Sequence, residues 1–261
     1  MGQELSHDVA LVTGAGRGIG RAIALSLAAG GAAVAVCART ELEIVETAAL
    51  ISKNGGRAMA LKLDVKDVDN VRAAVEAATS QLGPVTLLVN NAGTPGPAGL
   101  DWEVDAEAWF ECLDVIVRGA LLLCRAVAPR MIARGSGRII NVASLSGTRA
   151  FPPIIATSVA KTALIRFSEG LAAQLDGHGV RVFAIHPGVV RTRLLESYGL
   201  QLPEEWFVGP ERAGALCARL ASGRYDALSG RFLTIDDDLD ALVSRASEIT
   251  SRELYMLRIQ V

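Results

Sequence analysis

Apolar runs of strand length alternate with longer segments of helical spacing along the whole chain. The first run begins at Val9, and others lie at residues 33–37, 57–63, 85–90, 138–143, 180–186 and 232–235. Between them, apolar positions recur at helical spacing in residues 22–29, 42–53, 68–82, 106–133, 158–175 and 210–221. This alternation is typical of parallel strands joined by helices that cover both faces of a sheet. The pattern predicts an α/β fold with one doubly wound parallel sheet of about seven strands.

The composition fits a single folded unit without a nucleic-acid surface. The 261 residues are 51% hydrophobic and 21% charged, so one sizeable core can form, and residues 1–261 are predicted to make one domain. The 26 Lys and Arg nearly balance the 28 Asp and Glu, and no stretch concentrates basic residues with aromatic ones. Nucleic acid is therefore not expected as a partner.

The cysteines and the lengths of the apolar runs bear on location. Cys37, Cys112, Cys124 and Cys217 lie far apart, form no Cys-x-x-Cys pair and are mostly in apolar runs, which is typical of buried thiols in a reducing compartment. A metal site is accordingly not predicted. No run reaches transmembrane length and no signal-peptide pattern is present, so the sequence predicts a cytoplasmic protein without a membrane partner.

A glycine turn follows the first apolar run and precedes a helical segment, in the stretch VALVTGAGRGIG. Gly14, Gly18 and Gly20 let the backbone pass close to a pyrophosphate, and the helix points N–H groups and its positive dipole end at that anion. Arg17 and Ile19 lie in the same turn. The spacing is Gly-x-x-x-Gly-x-Gly, not the commonest Gly-x-Gly-x-x-Gly. The turn predicts a Rossmann-type dinucleotide site, with an ordinary tight βα turn as the alternative.

The end of the second predicted strand bears on which dinucleotide is bound. Sites that prefer NAD place an acidic residue there to bind the ribose 2′-hydroxyl. This strand ends in Arg39, whose forked guanidinium, together with that of Arg17, suits a 2′-phosphate. The sequence therefore favours NADP(H) over NAD(H), and the alternative interpretation of Arg39 is a solvated arginine at a strand end.

From the glycine turn onwards, the sequence resembles the short-chain dehydrogenases/reductases over nearly its whole length. Three further segments carry the likeness, each after a predicted strand: Asp64-Val65, Asn90-Asn91-Ala92-Gly93 and Pro187-Gly188-Val189-Val190-Arg191-Thr192. The resemblance implies that the first segment contacts adenine and that the second braces the sheet beside the cofactor. It also implies that Pro187, Gly188, Val190 and Thr192 hold the nicotinamide carboxamide.

The catalytic residues of that family are only partly present. The family uses a tyrosine to exchange the substrate proton, a lysine to lower the tyrosine pKa and hold the nicotinamide ribose, a serine to orient the carbonyl and an asparagine to hold a water. Ser144 and Lys161 stand at the serine and lysine positions. Thr157 replaces the tyrosine, one helical turn before the lysine, and Ile116 replaces the asparagine. The resemblance thus implies a divergent site with Ser144, Lys161 and Thr157 as its catalytic set.

The loss of the tyrosine raises the question of another acid. A threonine hydroxyl is shorter and much less acidic than a phenol, so a general-acid contribution of roughly 10²–10⁴-fold must be lost or supplied elsewhere. Tyr198 lies in residues 194–207, which resemble the family's substrate lid, and is one candidate. His186, Asp114 and Arg149 are weaker candidates. A structural role is the favoured interpretation of all four.

The predicted function is reduction of a small or medium apolar carbonyl, enone or imine by NADP(H). The alternative is a protein that keeps the nucleotide pocket but transfers no hydride, and serves as an isomerase, a cyclase or a cofactor-binding regulator. Net consumption of NADPH separates the two. The resemblance also implies a homodimer or homotetramer that pairs the helices of residues 106–133 and 158–175.

Overall fold

The computed structural model describes residues 4–259, which fold around a seven-stranded sheet. The strands are β1 (Val9–Thr13), β2 (Ala33–Ala38), β3 (Ala58–Lys62), β4 (Leu87–Asn90), β5 (Gly137–Val142), β6 (Val180–His186) and β7 (Phe232–Thr234). Their order is β3-β2-β1-β4-β5-β6-β7, and every neighbouring pair is parallel. The predicted doubly wound α/β fold is confirmed.

Helices join the strands and cover both faces of the sheet. They are α1 (Gly18–Ala29), α2 (Glu41–Lys53), α3 (Val68–Leu82), α4 (Ala106–Leu113), α5 (Gly119–Arg134), α6 (Ile155–Gln174), α7 (Arg193–Glu196), α8 (Glu211–Ala221), α9 (Leu239–Ser244) and α10 (Ala246–Ser251). On one face, Leu27 of α1 and Leu220 of α8 belong to one buried apolar cluster. On the other, Val75 of α3 and Met131 of α5 belong to a second. The sheet is therefore buried on both sides, as its continuous apolar strands require.

The helix ends follow from local chemistry. Asp67, Asp105 and Asp238 are N-caps whose carboxylates accept hydrogen bonds from backbone N–H groups in the first turns of α3, α4 and α9. The helix α5 ends at Arg134 and is capped by Gly135, which has a left-handed φ of +69° that glycine adopts without strain. The three aspartate caps lie in connections that lead from a strand to a helix, at the edge of the sheet where the site lies, whereas Gly135 leads from α5 into β5 at the opposite edge.

The predicted helix 106–133 is interrupted in its middle. The helix α4 ends at Leu113, a π-helical turn spans Asp114–Arg118, and α5 continues from Gly119. A Cβ on Gly119 would lie 2.6 Å from Cγ2 of Val65, so the backbone passes very close to the segment after β3. A π-helical turn adds a residue to a helix and is frequent at functional sites, and this one contains Ile116.

Three further findings concern the whole described chain. The four cysteines are buried and are free thiols, as their sequence context predicts. Within residues 4–259, no helix is both long and apolar enough to cross a bilayer. In the same residues, no group of three or more His, Cys, Asp and Glu is arranged to hold a metal ion.

Candidate active site

A cavity of about 1100 Å³ opens at the carboxyl ends of the strands. It borders the place between β1 and β4 where the strand order reverses, which is where open α/β sheets bind ligands. Pockets for small molecules measure roughly 300–1,000 Å³, so this cavity has room for a dinucleotide together with a substrate. All residues predicted for cofactor binding line it: Gly14, Arg17, Gly18, Ile19, Gly20, Arg39, Asp64, Val65, Asn91, Ala92, Gly93, Lys161, Pro187, Gly188, Val190 and Thr192. Ser144 and Thr157 line it as well.

The glycine turn has the backbone geometry of a phosphate site. Gly14 and Gly18 have φ angles of +62° and +54°, which residues with side chains rarely adopt. A Cβ on Gly20 would lie 2.2 Å from the carbonyl oxygen of Gly14, so α1 packs directly on the turn. The helix α1 begins at Gly18, and its first N–H groups therefore point to the cavity. These residues fit a dinucleotide pyrophosphate.

The segment after β4 ties the glycine turn to the middle of the sheet. Asn91 Nδ2 donates to the carbonyl oxygen of Thr13 at 2.9 Å, and Thr13 Oγ1 accepts from the Asn91 N–H at 3.0 Å. Deeper in the protein, Asn90 Nδ2 donates to Asn141 Oδ1, and Asn141 Nδ2 donates to Ser168 Oγ, each at 2.8 Å. These bonds join β4 to β1, β5 and α6, so the segment has the bracing position that the resemblance implies.

Arg39 is exposed after β2 and lines the adenosine end of the cavity. Among residues 4–259, no carboxylate lies within ion-pairing distance of its guanidinium. Lys66 is nearby: hydrogen bonds to Glu111 at 2.8 and 2.9 Å raise the Lys66 pKa, and the charge of Arg39 opposes that shift. Asp64 Oδ1 accepts from the Lys66 N–H at 3.0 Å, which fixes the turn after β3. Arg39 therefore lines this end of the cavity, whereas Lys66 lies outside the lining and is paired with Glu111.

Glu43, in the first turn of α2, binds two arginines at the cavity mouth. Its Oε1 accepts from Arg17 Nη1 at 3.1 Å and from Arg193 Nη1 at 3.2 Å. A Cβ on Gly16 would lie 2.8 Å from Cβ of Glu43, so the acidic side chain is held against the glycine turn. Arg17, predicted to share a 2′-phosphate with Arg39, therefore pairs with a carboxylate in this structure.

Ser144 follows β5 and has a hydroxyl proton available to a ligand. Its Oγ accepts from the N–H and from the hydroxyl of Ser146, each at 3.1 Å. Both lone pairs are thus engaged, and the Ser144 O–H can donate into the cavity. His186 Nδ1 accepts from the Leu145 N–H at 3.3 Å, and burial lowers the His186 pKa to about 4. The histidine is neutral at pH 7 and positions the Ser144 turn, which is a structural role.

Lys161 lies one helical turn after Thr157 on α6. Its Nζ donates to the carbonyl oxygen of Val142 at 2.6 Å. An ammonium has three donors, so two remain for a ligand. Loss of solvation lowers the Lys161 pKa to about 8, and the Cys112 thiol opposes this shift. At pH 7 the side chain is therefore charged and can donate to ribose hydroxyls.

The hydroxyls of Thr157 and Tyr198 are hydrogen-bonded to each other at 2.6 Å. The two residues are only 7% and 9% exposed. The Gly96 N–H also donates to Thr157 Oγ1, at 3.4 Å, and Cys112 Sγ lies 3.6 Å from the same oxygen. Burial raises the pKa of Tyr198, and the hydrogen bond with Thr157 opposes that shift. A phenol thus stands beside the residue at the predicted tyrosine position.

The segment that carries Tyr198 folds over the cavity, and residues at its two ends contact each other. Val189 and Phe207 form a parallel bridge, and the Arg191 guanidinium lies 3.9 Å from the centre of the Phe207 ring. Thr192 Oγ1 accepts from the Leu195 N–H at 3.2 Å and so caps α7. The two ends of the segment are tied together while its middle covers the site. A closing movement of residues 194–207 stays a prediction.

The substrate end of the cavity is apolar. A Cβ on Gly93 would lie 3.7 Å from Leu194 Cδ1 and 4.0 Å from Ile116 Cγ1, so the isoleucine and the lid leucine close over that glycine. Ile116 is buried and has no polar atom with which to hold a water. Other apolar residues line this end: Leu145, Phe151, Ile154, Leu200, Leu202 and Trp206. The enclosure favours a substrate with little charge.

The structure also locates the remaining candidates for a replacement acid, and it brings two further residues close to the site. Arg149 lines the cavity rim, whereas Asp114 is outside the lining formed by the described residues. Cys112 and Glu43 were not predicted at the site. Nothing local distinguishes Cys112 from an ordinary buried thiol, because its neighbour Thr157 is far away in sequence. Glu43 gave a weak signal, as an acidic residue in a helix that starts just after Arg39.

The parallel sheet, the glycine turn at its switch point and the cavity beside it define an α/β dinucleotide-binding protein. The family model of the short chain dehydrogenases matches residues 8–202. The chain belongs to the short-chain dehydrogenase family, as its sequence predicts, and this membership supports an oxidoreductase.

Individual relatives agree with this assignment. The chain is 33% identical to a short chain dehydrogenase of Pseudocercospora fijiensis over an alignment 282 residues long, which covers 99% of this chain and 91% of the relative. It is 36% identical over 221 residues to a putative ketoacyl reductase of Streptomyces coelicolor, covering 84% of each. The crystal structure of a variant of actinorhodin polyketide ketoreductase with NADPH has a TM-score of 0.82 at 31% identity, covering 89% of this chain and 96% of that one.

Proposed function

We propose that this chain is an NADP(H)-dependent reductase of a small or medium apolar carbonyl, enone or imine, with atypical catalytic residues. The observation that carries the proposal is one continuous cavity, which runs from Arg39 and the glycine turn to Ser144 and Lys161. Bound NADPH would supply a hydride to the electrophilic carbon of the substrate. Ser144 donates its hydroxyl proton in a hydrogen bond to the heteroatom of the substrate, and Lys161 donates to the ribose hydroxyls.

The preference for NADP(H) over NAD(H) rests on the end of β2. An exposed arginine without a carboxylate partner is suited to a phosphate, whereas a ribose 2′-hydroxyl would call for an acidic residue there. Lys66 is close to Arg39, but its charge is paired with that of Glu111, so the preference rests on Arg39. The NADPH in the related ketoreductase structure supports the same preference.

The substrate class rests on the apolar end of the cavity. Leucine, isoleucine and aromatic side chains line it, and the charged residues Arg149 and Glu205 line the cavity near them. A related protein carries the name ketoacyl reductase, which supports a carbonyl compound as substrate. A carbonyl, enone or imine that is already electron-poor would depend least on a strong acid.

The proposal is tested by measuring cofactor binding and cofactor consumption separately. Calorimetry gives NADPH affinity, and the loss of NADPH absorbance is followed with a panel of apolar ketones, enones and cyclic imines. NADPH deuterated at the transferred position should deliver deuterium to the product. Ser144→Ala should lower kcat/KM by about tenfold or more, since it removes a hydrogen bond to developing charge. Thr148→Ala, which removes an exposed hydroxyl from the same turn, should have little effect.

Two results would reject a reductase. If NADPH binds but no member of the panel takes up deuterium, the non-redox alternative of an isomerase, a cyclase or a cofactor-binding regulator is favoured. If neither NADPH nor NADH binds, the cavity is not a cofactor site.

A further inference from the structure

We propose that Tyr198 is the proton donor of this reductase and that Thr157 positions it and stabilises its anion. The inference rests on the proposed reductase function and names the acid that this function needs. Its basis is the 2.6 Å hydrogen bond between the two hydroxyls inside the substrate end of the cavity. Tyr198 lies in the lid segment, residues 194–207, so the proton donor comes from the lid and not from α6.

The hydrogen bonds around Thr157 leave the phenol proton available. The Gly96 N–H donates to Thr157 Oγ1, which occupies one acceptor position of the threonine. The Thr157 O–H can then donate to Tyr198 Oη, since this is the shortest contact that the threonine oxygen makes. In that arrangement Tyr198 accepts one bond from Thr157, and its own O–H can point to a substrate oxygen.

Packing explains why the phenol comes from the lid. A Cβ on Gly96 would lie 2.8 Å from the Ala156 Cβ and 3.3 Å from Thr157 Oγ1. The loop at Gly96 therefore lies directly on the first turn of α6, and residue 157 has little space for a ring. The ring of Tyr198 occupies the neighbouring space instead and is 9% exposed.

The chemical step balances with one cofactor molecule. Bound NADPH would supply a hydride to the carbonyl carbon and become NADP⁺, and the C=O π pair would move to the oxygen. Tyr198 Oη would give its proton to that oxygen, which makes the alcohol, and Thr157 would donate a hydrogen bond to the phenolate that remains. A proton from water restores the phenol when the product leaves.

The surroundings of Tyr198 set the expected pH dependence. Burial raises the Tyr198 pKa above the ordinary phenol value of 10.0, the hydrogen bond with Thr157 opposes the shift, and the titratable group whose charge acts on it is the Cys112 thiol. Burial raises the Cys112 pKa as well. Both groups are therefore protonated at neutral pH. At saturating NADPH, the rate of reduction should fall in the alkaline range where Tyr198 ionises, above the pH of about 8 at which Lys161 loses its proton.

Kinetics of four variants test the roles. Tyr198→Phe should lower kcat by about 10²-fold or more, the contribution of a positioned acid, with NADPH affinity unchanged. Thr157→Val should lower kcat by about tenfold or more, and Thr157→Ser, which keeps the hydroxyl, should restore most of it. Ser158→Ala is the matched control, because it removes a neighbouring buried hydroxyl that has no hydrogen-bond partner in the described residues and does not line the cavity.

A spectroscopic measurement reports on the hydrogen bond without catalysis. The chain has 3 tyrosines, so protein labelled with ¹³C at the tyrosine ζ-carbon gives few signals, and Tyr198→Phe identifies the one that belongs to Tyr198. In the cofactor-free protein, Thr157→Val should move the ionisation of this signal to higher pH. Ser158→Ala should leave it in place.

The outcomes are separable from those of the proposed function. If the wild type transfers deuterium and Tyr198→Phe does so at the same rate, only the present inference is overturned. An unchanged Tyr198 titration in Thr157→Val overturns the positioning role of Thr157. If the wild type transfers no deuterium to any substrate, the reductase function fails and the inference fails with it.

Discussion

Lys161 Nζ donates a 2.6 Å hydrogen bond to the backbone carbonyl of Val142, at the last residue of β5. The bond fixes the ammonium at the floor of the cavity, and burial there lowers its pKa to about 8. The same side chain is proposed to donate to the ribose hydroxyls of the cofactor. Its charge, and not only its presence, is therefore expected to matter for binding.

NADPH affinity should accordingly fall as the pH rises through about 8, where Lys161 loses its proton. Lys161→Met should weaken NADPH binding by about tenfold or more, since a hydrogen bond to a charged group contributes about 1.5–3 kcal/mol. It should also remove the pH dependence around that value. Calorimetry at several pH values measures both effects. Lys53→Met, on the exposed end of α2, is the control, and an identical pH profile in the two variants would argue against the assignment.

The same pKa shift predicts a stability effect of known sign. An unfolded lysine keeps its proton up to about pH 10.5, whereas folded Lys161 releases it near pH 8. Between these values the unfolded chain binds more protons, so this group makes the free energy of unfolding of the cofactor-free protein rise with pH. Denaturant titrations across that range should show a steeper rise for the wild type than for Lys161→Met. Parallel curves for the two proteins would contradict the burial of the ammonium.

Cofactor choice should follow Arg39. NADPH is expected to bind at least about tenfold tighter than NADH, because a hydrogen bond to a charged phosphate contributes about 1.5–3 kcal/mol. Arg39→Asp should narrow or reverse that difference, since a carboxylate repels the 2′-phosphate and suits the 2′-hydroxyl. Arg72→Asp makes the same charge change at an exposed site outside the cavity lining. Equal affinities of the wild type for the two cofactors would refute the assignment.

A tyrosine at residue 157 should not simply restore an ordinary site. In Thr157→Tyr the new ring competes for the space that Tyr198 occupies and for the room beside Gly96. Turnover of the native substrate is therefore expected to fall. The combined change Thr157→Tyr with Tyr198→Ala should recover part of it, because one phenol then replaces the other. Steady-state rates of both variants on simple ketones and on the native substrate test this expectation. A higher rate on both kinds of substrate for Thr157→Tyr would show that the missing acid alone limits the enzyme.

The two long helices that the resemblance pairs between subunits carry exposed apolar side chains. Phe110 on α4, Leu121 on α5 and Val159 on α6 are 60%, 41% and 40% exposed. We expect a homodimer or homotetramer that buries this surface. Light scattering after gel filtration should give a multiple of the chain mass, and Leu121→Glu should reduce it. Leu42→Glu, at an exposed leucine of α2, is the control, and a wild-type monomer at high concentration would rule out the pairing.

Much of the fold follows from patterns that are local in sequence. Each strand is a short apolar run, and each connecting helix has its own apolar stripe, so the order of elements and the parallel sheet are predictable from spacing. The interruption of helix 106–133 is not predictable from this spacing. The π-helical turn that contains Ile116 adds one residue without changing the apolar pattern, and the close approach of Gly119 to Val65 depends on the packed structure.

The candidate site divides in the same way. The glycine turn is predictable because it lies between a strand and a helix, and Ser144 and Lys161 are identified through the resemblance, at the family's serine and lysine positions. The contact between Thr157 and Tyr198 joins residues 41 positions apart, and it depends on how the lid segment folds. Arg17 shows the converse: its sequence position suggests a phosphate ligand, yet its partner Glu43 comes from another helix. Contacts between loops need the tertiary structure.

The shared carboxylate of Glu43 also couples two regions of this protein. The Glu43 side chain binds both the arginine of the glycine turn and the first residue of α7. The cofactor turn and the lid segment therefore share one acidic partner. A lineage that replaced Glu43 while changing its cofactor preference would alter the ionic anchor of the lid in the same step. Arg17, Glu43 and Arg193 should therefore be exchanged together or kept together among descendants of this chain.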